Sequence, residues 1–365
     1  MGGRRRFETG LAPRYTRIIM TGRRKVTLRR AVGGAFCLAV LGLGALLGPA
    51  LWPGPAVADS ARVFEVPAHA GLLTVARSLQ HAGIIRNWAA FVGLSLVRGS
   101  ARRIRAGEYE APRGASTFDV LGLVESGRVV QHPVLHPEGA TVLELGRALE
   151  AAGLARGEDV VRAAHDPQLL RTLGVDAPSL EGYLFPDTYY FVRGLTSEEM
   201  LTRMVQRLRA KLTPEREARA RSRGLSVHQL LTLAAIVERE AIAPEERTTI
   251  AAVFWNRLRR DMPLQADPTV QYAVGKERRA LTRADLQIDH PFNTYRRAGL
   301  PPGPIASPGL AAIDAVLEPA TVPYLYFVAM DDRRHQFSTT LEEHNAAVAR
   351  YRLARRAEGG GSPRP

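Results

Sequence analysis

An uncharged run at 31–52 follows a strongly basic N-terminal segment. About 20 apolar residues are needed to cross the hydrocarbon core of a membrane, so this run predicts a single transmembrane helix. Residues 1–30 contain ten Lys and Arg residues against one Glu. Because positively charged flanks stay in the cytoplasm, we expect a basic cytoplasmic tail at 1–30 and the chain beyond residue 52 on the outer side.

A cleaved signal peptide is the alternative interpretation of the same run. Ala56-Val57-Ala58 has the small-x-small form of a cleavage site, and a start at Met20 would shorten the basic tail. The run is, however, longer than the roughly 7–15 residues of a usual signal core, which favours a retained anchor. We therefore expect a single-pass protein of the cytoplasmic (inner) membrane, with its functional part on the periplasmic or extracellular side. That location removes ATP, NAD and DNA from the expected ligands.

The net charge of +14 is concentrated at the N-terminus. Residues 1–30 carry +9 of it and leave +5 for the rest of the chain, so the sequence does not predict nucleic-acid binding. Cys37 is the single cysteine, which excludes a disulfide framework and a cysteine-based zinc site. His335 and His344 lack any metal-ligand spacing, so we expect no metal and no cofactor.

Composition divides the rest of the chain into a linker, two folded parts and a tail. Residues 53–61 are rich in Pro, Gly and Ala, as linkers are. Residues 62–130 show the pattern strand, two helices, strand and helix, which indicates a small α/β domain. Residues 131–353 indicate a larger α+β domain, and 354–365 a disordered tail. No internal repeat is visible along the chain.

Periodicity also predicts individual elements of the larger domain. Helices are expected at about 142–152, 157–164, 197–212, 214–223, 226–242 and 244–260. The segments 263–272 and 292–295 are predicted to be loops, and the chain is again rich in loop residues at 299–309. A hairpin at 324–328 and 335–339 precedes a last helix from Leu341.

The helix predicted at 226–242 carries the residue that most resembles a catalyst. Ser226 and Gln229 form a capping box, and the residues that follow are almost all apolar. At about 100° per residue, Glu240 lies in the middle of the large apolar stripe, and Glu238 lies about 160° away. A carboxyl among Leu, Ile and Val should have a raised pKa, which suits a general acid at neutral pH. The alternative is a structural ion pair of Glu240 with an arginine such as Arg257.

Polar and aromatic side chains gather in the two predicted loop segments that follow this helix. Amide, carboxylate and hydroxyl groups beside aromatic faces suit a sugar, which offers hydroxyls at its edge and C–H groups on its face. The alternative is loop structure alone, because Asp267 before Pro268 is a turn former and Asn293 is a residue that caps backbone turns.

Several motifs in order resemble one known family. They are LEGYLFPDTY (180–189), IVEREA (236–241), VFWNRL (253–258), LQADPTVQY (264–272), FNTY (292–295), GLPPGPIASPG (299–309), YLYFVA (324–329) and the residues HQF, ST and EEHN within 335–345. Together with the N-terminal apolar run, this series closely resembles the YceG-like family of endolytic murein transglycosylases. The resemblance runs from about residue 31 to residue 351.

The resemblance implies a fold, an activity and site residues. The implied fold class is α+β, with a single transmembrane helix, a small LysM-like domain at 62–130 and a catalytic domain at 131–353 with a lysozyme-like catalytic helix. The implied substrate is peptidoglycan, and the implied catalytic residue is Glu240, the second Glu of the family's I-V-E-x-E motif. This chain has Ala241 where the family usually has a hydroxyl residue. Expected substrate-binding residues are Gln265, Asp267, Tyr272, Asn293, Tyr295 and Glu181.

The implied reaction cleaves the MurNAc–GlcNAc β-1,4 bond inside nascent glycan strands and leaves a 1,6-anhydro-MurNAc end, which limits strand elongation. Penicillin-binding synthases are the implied protein partners. Two alternatives stay open. One is a hydrolytic muramidase that uses Glu240 as acid and Asp267 as its partner, and the other is a peptidoglycan-binding scaffold without catalysis.

Overall fold

The computed structural model describes residues 61–358 except 68, 277 and 331–333, together with 32–38, 40–42, 44 and 48. The chain divides into two compact units, Met1–Val129 and Val130–Pro365. The predicted cytoplasmic tail at 1–30 and the predicted linker, apart from residue 61, lie outside the described residues. In the predicted C-terminal tail the last helix continues to Glu358, and 359–365 lie outside the described residues.

The described part of the chain contains no helix with the length and apolarity that a membrane crossing requires. The predictions of a transmembrane helix at 31–52 and of a single-pass inner-membrane location are therefore wrong. The predictions rested on the apolar composition of the run and on the difference in charge between its two flanks.

The first unit is built on a two-stranded antiparallel sheet with helices packed against it. Its elements are β1 (Arg62–Val66), α1 (Leu72–His81), α2 (Trp88–Val97), β2 (Gly107–Ala111) and α3 (Thr117–Ser126). Phe64 and Val66 alternate with exposed residues along β1, so one face of the strand enters a core shared with Leu79, Phe91 and Tyr109. This is a small hydrophobic core separate from that of the second unit.

The second unit opens with the same order of elements. They are β3 (His132–His136), α4 (Val142–Ala151), α5 (Gly157–Ala164), an additional α6 (Pro167–Thr172), β4 (Asp187–Phe191) and α7 (Ser197–Lys211). β3 pairs with β4 as β1 pairs with β2, and the end-to-end register is the same: Arg62 faces Ala111 in the first pair, and His132 faces Phe191 in the second.

This order is an internal repeat of a β-α-α-β-α module. We call 62–126 the first module and 132–211 the second module. Where the first strand leads into the first helix, at 67–86 and at 137–156, both copies have the pattern P-x-x-A-x-x-L-x-x-x-R-x-L-x-x-A-G-x-x-R. The second module then contains α6 and its following loop before β4, and the first module has no such helix. The expectation of no internal repeat is therefore wrong, since the two copies share this pattern and the order of their elements.

The rest of the second unit is helical apart from one hairpin. Its elements are α8 (Pro214–Ser222), α9 (Val227–Glu240), a 3-10 turn (Pro244–Glu246), α10 (Arg247–Leu258), α11 (Asp267–Ala273), a second 3-10 turn (Asp285–Gln287), α12 (Leu310–Leu317), β5 (Tyr326–Ala329), β6 (His335–Ser338) and α13 (Leu341–Glu358). The described residues are thus a mixture of helix and small antiparallel sheets, which is the α+β part of the predicted fold class.

Helix α9 occupies the centre of the larger core. The predicted capping box is present at its start: Gln229 N–H donates to Ser226 Oγ at 3.2 Å, and Ser226 N–H donates to Gln229 Oε1 at 2.9 Å. All residues at 230–237 are buried, and α9 packs against α10, α11 and α12. A helix that is apolar on every side belongs inside a core, so its end is fixed firmly in place.

Candidate functional site

Glu240 is the last residue of α9 and lies on the wall of a cavity of about 540 Å³. The helix ends there because Ala241 leaves the helical conformation, with φ −76° and ψ 107°. The cavity is lined by Glu138, Gly139, Glu238, Arg239, Glu240, Ala241, Ile242, Asp267, Pro268, Gln271, Arg278 and His335. A buried helix therefore brings the Glu240 carboxyl from the core to an open space.

The surroundings of Glu240 favour its neutral form. Burial first, and the negative charge of Asp267 second, raise the pKa of the Glu240 carboxyl to about 8. The charges of Arg257 and Arg239 and a hydrogen bond from the Asp267 backbone N–H oppose this shift in the pKa. The residue as a whole stays partly exposed to the cavity, although protein atoms surround its carboxyl. Glu240 is therefore protonated at neutral pH and accessible to a ligand.

Arg257 does not form the ion pair that the structural alternative requires. Its Nε donates to Leu325 O at 2.6 Å and its Nη1 to Leu264 O at 2.7 Å. The buried guanidinium is thus hydrogen-bonded to backbone carbonyls. Arg257 lowers the pKa of Glu240 through its charge, and this effect is smaller than that of burial.

Asp267 lies on the wall of the same cavity and is bonded to Tyr295. It is the first residue of α11, and its Oδ1 accepts a hydrogen bond of 2.5 Å from the Tyr295 hydroxyl. Burial and this bond to Asp267 raise the pKa of Tyr295, so the hydroxyl keeps its proton and remains a donor. Two of the predicted site residues therefore form one unit beside Glu240.

Residues of the FNTY motif (292–295) fix the position of the backbone next to Asp267. Thr294 Oγ1 accepts from the Ala266 N–H at 3.0 Å and lies 2.8 Å from Thr269 Oγ1. Asn293 is fully buried, and its Nδ2 donates to Leu286 O and Ile288 O while its Oδ1 accepts from the Tyr295 N–H. Asn293 and Thr294 thus fix the backbone that carries Asp267 and Tyr295.

Of the six predicted substrate-binding residues, Asp267 lines the cavity, and the other five, Tyr295 included, are not among the lining residues. Asn293 is paired as just described, and both carboxylate oxygens of Glu181 accept the Val142 N–H at 3.2 Å at the start of α4. Tyr272 packs against Phe292, with ring centroids 5.1 Å apart. Gln265 is exposed, has φ +49°, and its Oε1 is 3.4 Å from Arg257 Nη1.

The cavity also contains residues that the sequence did not suggest. Glu238 also lines the cavity, although it lies in the same helix as Glu240 and at a wide angle from it. His335 donates its N–H to Glu246 Oε1 at 3.0 Å, and its Nδ1 is 2.7 Å from Glu246 Oε2.

Two further lining residues, Glu138 and Gly139, come from the second module. They are far from α9 along the chain, so no local pattern could have placed them here. In the described ranges no group of three or more His, Cys, Asp or Glu side chains is arranged to hold a metal ion.

A buried helix presents a carboxyl with a raised pKa, next to a second carboxylate, in an open cavity, which is an arrangement suited to an enzyme with general acid–base chemistry. The sequence matches the YceG-like family over residues 64–350. The chain belongs to the YceG-like family.

Individual relatives agree with this assignment. The endolytic murein transglycosylase of Bacillus subtilis (strain 168) is 32% identical over 303 residues, which cover 79% of this chain and 84% of that protein. The endolytic murein transglycosylase of Streptococcus pneumoniae (strain D39) is 31% identical over 318 residues, 78% of this chain and 57% of that protein. A crystal structure of a yceG-like protein from Listeria monocytogenes superimposes with a TM-score of 0.56 at 31% identity, covering 79% of this chain and 99% of that chain.

Proposed function

We propose that this protein is a lytic transglycosylase of peptidoglycan, which cleaves the MurNAc–GlcNAc β-1,4 bond within nascent glycan strands and leaves a 1,6-anhydro-MurNAc end. Such cleavage limits the elongation of the strands. The observation that carries the proposal is the Glu240 carboxyl, whose pKa of about 8 keeps it protonated at neutral pH on the wall of an open cavity. The relatives named endolytic murein transglycosylase support the choice of substrate.

Glu240 serves as acid and then as base. Its proton goes to the glycosidic oxygen as the bond from that oxygen to the MurNAc C1 breaks. The resulting carboxylate accepts the proton of the MurNAc C6 hydroxyl as O6 bonds to C1, which closes the anhydro ring and restores the acid. Because the nucleophile belongs to the substrate, no water has to be positioned and the attack has a high effective concentration.

Asp267 is proposed to stabilise the positive charge that develops at C1. Its negative charge already acts on Glu240, and the hydrogen bond from Tyr295 fixes the carboxylate orientation. Asn293 is proposed to act through the position of Tyr295, since its own polar atoms are bonded to the backbone. We propose no direct sugar contact for Glu181.

Replacement of the acid tests the proposal. Glu240→Gln in the full chain should lower turnover of purified, uncrosslinked glycan by roughly 10²–10⁴-fold and leave glycan binding intact. Glu245→Gln is the matched control, because Glu245 is exposed and lies outside the cavity. Unchanged turnover in Glu240→Gln would refute the mechanism, and binding without turnover in the unmodified chain would establish the scaffold alternative.

The mass of the products separates the proposed reaction from hydrolysis. Asp267 beside Glu240 supplies the second carboxyl that a hydrolytic muramidase needs, so this reaction is the second candidate. Hydrolysis gives a reducing end that is one water heavier than the anhydro end. Mass spectrometry of digested strands should show the anhydro product, and reducing ends alone would assign the chain to the muramidases.

The pH dependence of turnover reports the state of Glu240. Turnover should persist through neutral pH and fall as the pH rises past about 8, because the acid loses its proton there. Asp267→Asn should move this alkaline limb to lower pH, since the charge of Asp267 raises the pKa of Glu240. If the alkaline fall in turnover occurred at the same pH in Asp267→Asn, the proposed effect of Asp267 on the pKa of Glu240 would be contradicted.

We also propose contact with penicillin-binding synthases, since an enzyme that cuts nascent strands acts where those strands are made. Crosslinking of the full chain in the presence of a purified synthase tests this proposal, and the absence of any crosslinked complex would refute it. The LysM-like character of the 62–130 domain stays a prediction.

A further inference from the structure

The two modules differ in charge in the loop where the first strand leads into the first helix. The first module has the sequence Pro67-Ala68-His69-Ala70 in this loop, and the second has Pro137-Glu138-Gly139-Ala140. The flanking Pro and Ala are the same, and His69 and Gly139 share a left-handed backbone, with φ of +62° and +72°. The left-handed turn is thus retained, whereas a carboxylate is present in the second module alone.

The loop of the second module is fixed by hydrogen bonds to Ser307, which lies in the part of the second unit that follows the module. Gly139 N–H donates to Ser307 O and Ser307 N–H to Ala140 O, both at 2.8 Å. His136, which replaces Val66 at the end of the strand, is buried, and its Nε2 lies 2.8 Å from Ser307 Oγ. A Cβ on residue 139 would lie 3.3 Å from Arg239 Cδ, so glycine permits the close approach to the end of α9.

These contacts place Glu138 on the wall of the cavity that contains Glu240. Its side chain is 49% exposed and lies 3.7 Å from Arg247. Arg247 is closer to Glu238, at 3.2 Å. The Glu238 side chain is 5% exposed and also accepts a hydrogen bond of 3.0 Å from the Gly309 N–H. Glu238 is therefore the main ion-pair partner of Arg247. The Glu138 carboxylate can still accept hydrogen bonds from a ligand in the cavity.

We propose that this loop forms a glycan-binding wall of the catalytic cavity, and that Glu138 accepts hydrogen bonds from sugar hydroxyl or acetamido N–H groups next to the bond that is cut. The inference rests on the proposed transglycosylase function and adds a substrate-binding residue to the same site. A carboxylate only accepts hydrogen bonds when ionised, so its ligand must be a donor, which a sugar ring supplies at its edge. A hydrogen bond to a charged group changes affinity by about ten-fold or more.

Kinetics on peptide-free glycan test the role of Glu138 in the full chain. Glu138→Ala should raise KM about ten-fold and leave kcat within about two-fold, because the residue binds the sugar and does not transfer the proton. Glu138→Gln, which keeps an oxygen acceptor, should raise KM less. Glu158→Gln is the matched control, since Glu158 is exposed in the same module outside the cavity, and its KM should not change.

Gly309→Ala tests the same contact without altering Glu138. A Cβ at position 309 would occupy the space of the Glu138 carboxyl, and the flexible Glu138 side chain has to move away. The backbone of Gly309, with φ −75°, suits alanine. Gly309→Ala should therefore raise KM as Glu138→Ala does, and it should have no further effect when Glu138 is already alanine.

The possible outcomes separate this inference from the proposed function. Absence of turnover by the unmodified chain refutes the proposed function itself. In an active chain, an unchanged KM in both Glu138→Ala and Gly309→Ala overturns the glycan-binding role of the loop. An effect seen with stem-bearing glycan and not with peptide-free glycan also overturns it, because the contact would then be to the peptide. Binding of peptide-free glycan to Glu240→Gln should weaken about ten-fold when Glu138→Ala is added, which shows the contact without turnover.

Discussion

The first and second modules share their internal packing and differ in what lies beyond their first strand. Val75 and Leu79 are buried in α1, as Leu145 and Leu149 are in α4. Each of these helices is followed by a left-handed glycine, Gly83 with φ +68° and Gly153 with φ +66°. The residues that differ in character lie at the end of the strand and in the loop after it, where Val66 corresponds to His136.

This difference shows which positions a module needs for folding and which it can use for a site. The core positions must fill a fixed volume, so they stay apolar in both copies. The strand end and the loop are free of that requirement, and in the second module they contact Ser307, Arg239 and the cavity. Comparison of the two modules therefore identifies Glu138 as a functional candidate where its local sequence does not.

The largest expected effect is at the ion pair between Glu238 of α9 and Arg247 of α10, beside which the second module places Glu138. Arg247→Met should destabilise the second unit by about 3–5 kcal/mol, because it leaves the buried Glu238 carboxylate without its cation. The first module has Ala68 at the position of Glu138. Denaturant unfolding measures the change, and the exposed control Arg260→Met should stay within about 0.5 kcal/mol. Recovery of stability on adding Glu238→Gln is required by this explanation.

Equivalent core positions should respond alike in the two modules. Leu79→Ala and Leu149→Ala each remove a fully buried side chain, and each should cost its own unit about 2–4 kcal/mol. Hydrogen exchange resolved by peptide should show lost protection in the first unit for Leu79→Ala and in the second for Leu149→Ala. If one substitution were tolerated without loss, the two cores would not be equivalent.

The strand-end histidine should make the second module sensitive to acid. Burial lowers the pKa of His136 to about 4 from 6.5. The unfolded chain therefore binds the proton more readily, and the stability that His136 contributes above pH 6.5 is lost as the pH falls toward 4. His136→Val, which restores the residue of the first module, should reduce this loss of stability by about 3 kcal/mol. Unfolding measured from neutral pH down to about pH 4 checks it, and an identical decline in the variant would contradict the assignment.

The smallest expected effect is at the start of the first helix of each module. Thr141 caps α4 with its side chain, whereas Gly71 at the equivalent position of α1 has no side-chain cap. Gly71→Thr should stabilise the first unit by a few tenths of a kcal/mol, because its φ of −68° suits threonine and no atom lies within 4 Å of the new Cβ. Thr141→Gly should destabilise the second unit by a similar amount. Thermal unfolding of both variants measures these changes, and a loss of stability in Gly71→Thr would show that the caps are not equivalent.

Local patterns predicted most of the helices well. The predicted helices at 197–212 and 214–223 are found at Ser197–Lys211 and Pro214–Ser222, and the predicted hairpin is found at Tyr326–Ala329 and His335–Ser338. Segment 263–272 was predicted to be a loop, but α11 begins there at Asp267, with Pro268 in the first turn. Proline is compatible with a helix start because its missing N–H has no partner there in any case.

Some residues of the candidate site could be predicted from their neighbours in the sequence, and others depend on contacts with distant segments. The position of Glu240 on the apolar stripe of one helix is a local property, so its phase could be predicted, and the structure places it at the cavity. Gln265 and Glu181 were chosen as polar residues in suitable segments, and hydrogen bonds from other elements decide their positions. Composition likewise predicted a membrane-spanning helix that the described residues do not contain.

The sequence by itself determined that a mostly apolar helix ends in a carboxylic acid, because periodicity and burial follow from residues a few positions apart. It also contains the two modules, which share an ungapped pattern at 67–86 and 137–156. Only the tertiary structure decided that the loop carrying Glu138 meets the end of α9, since that contact joins segments far apart along the chain. The pKa of Glu240 also depends on the tertiary structure, because burial and the charge of Asp267 act on it only once the chain has folded.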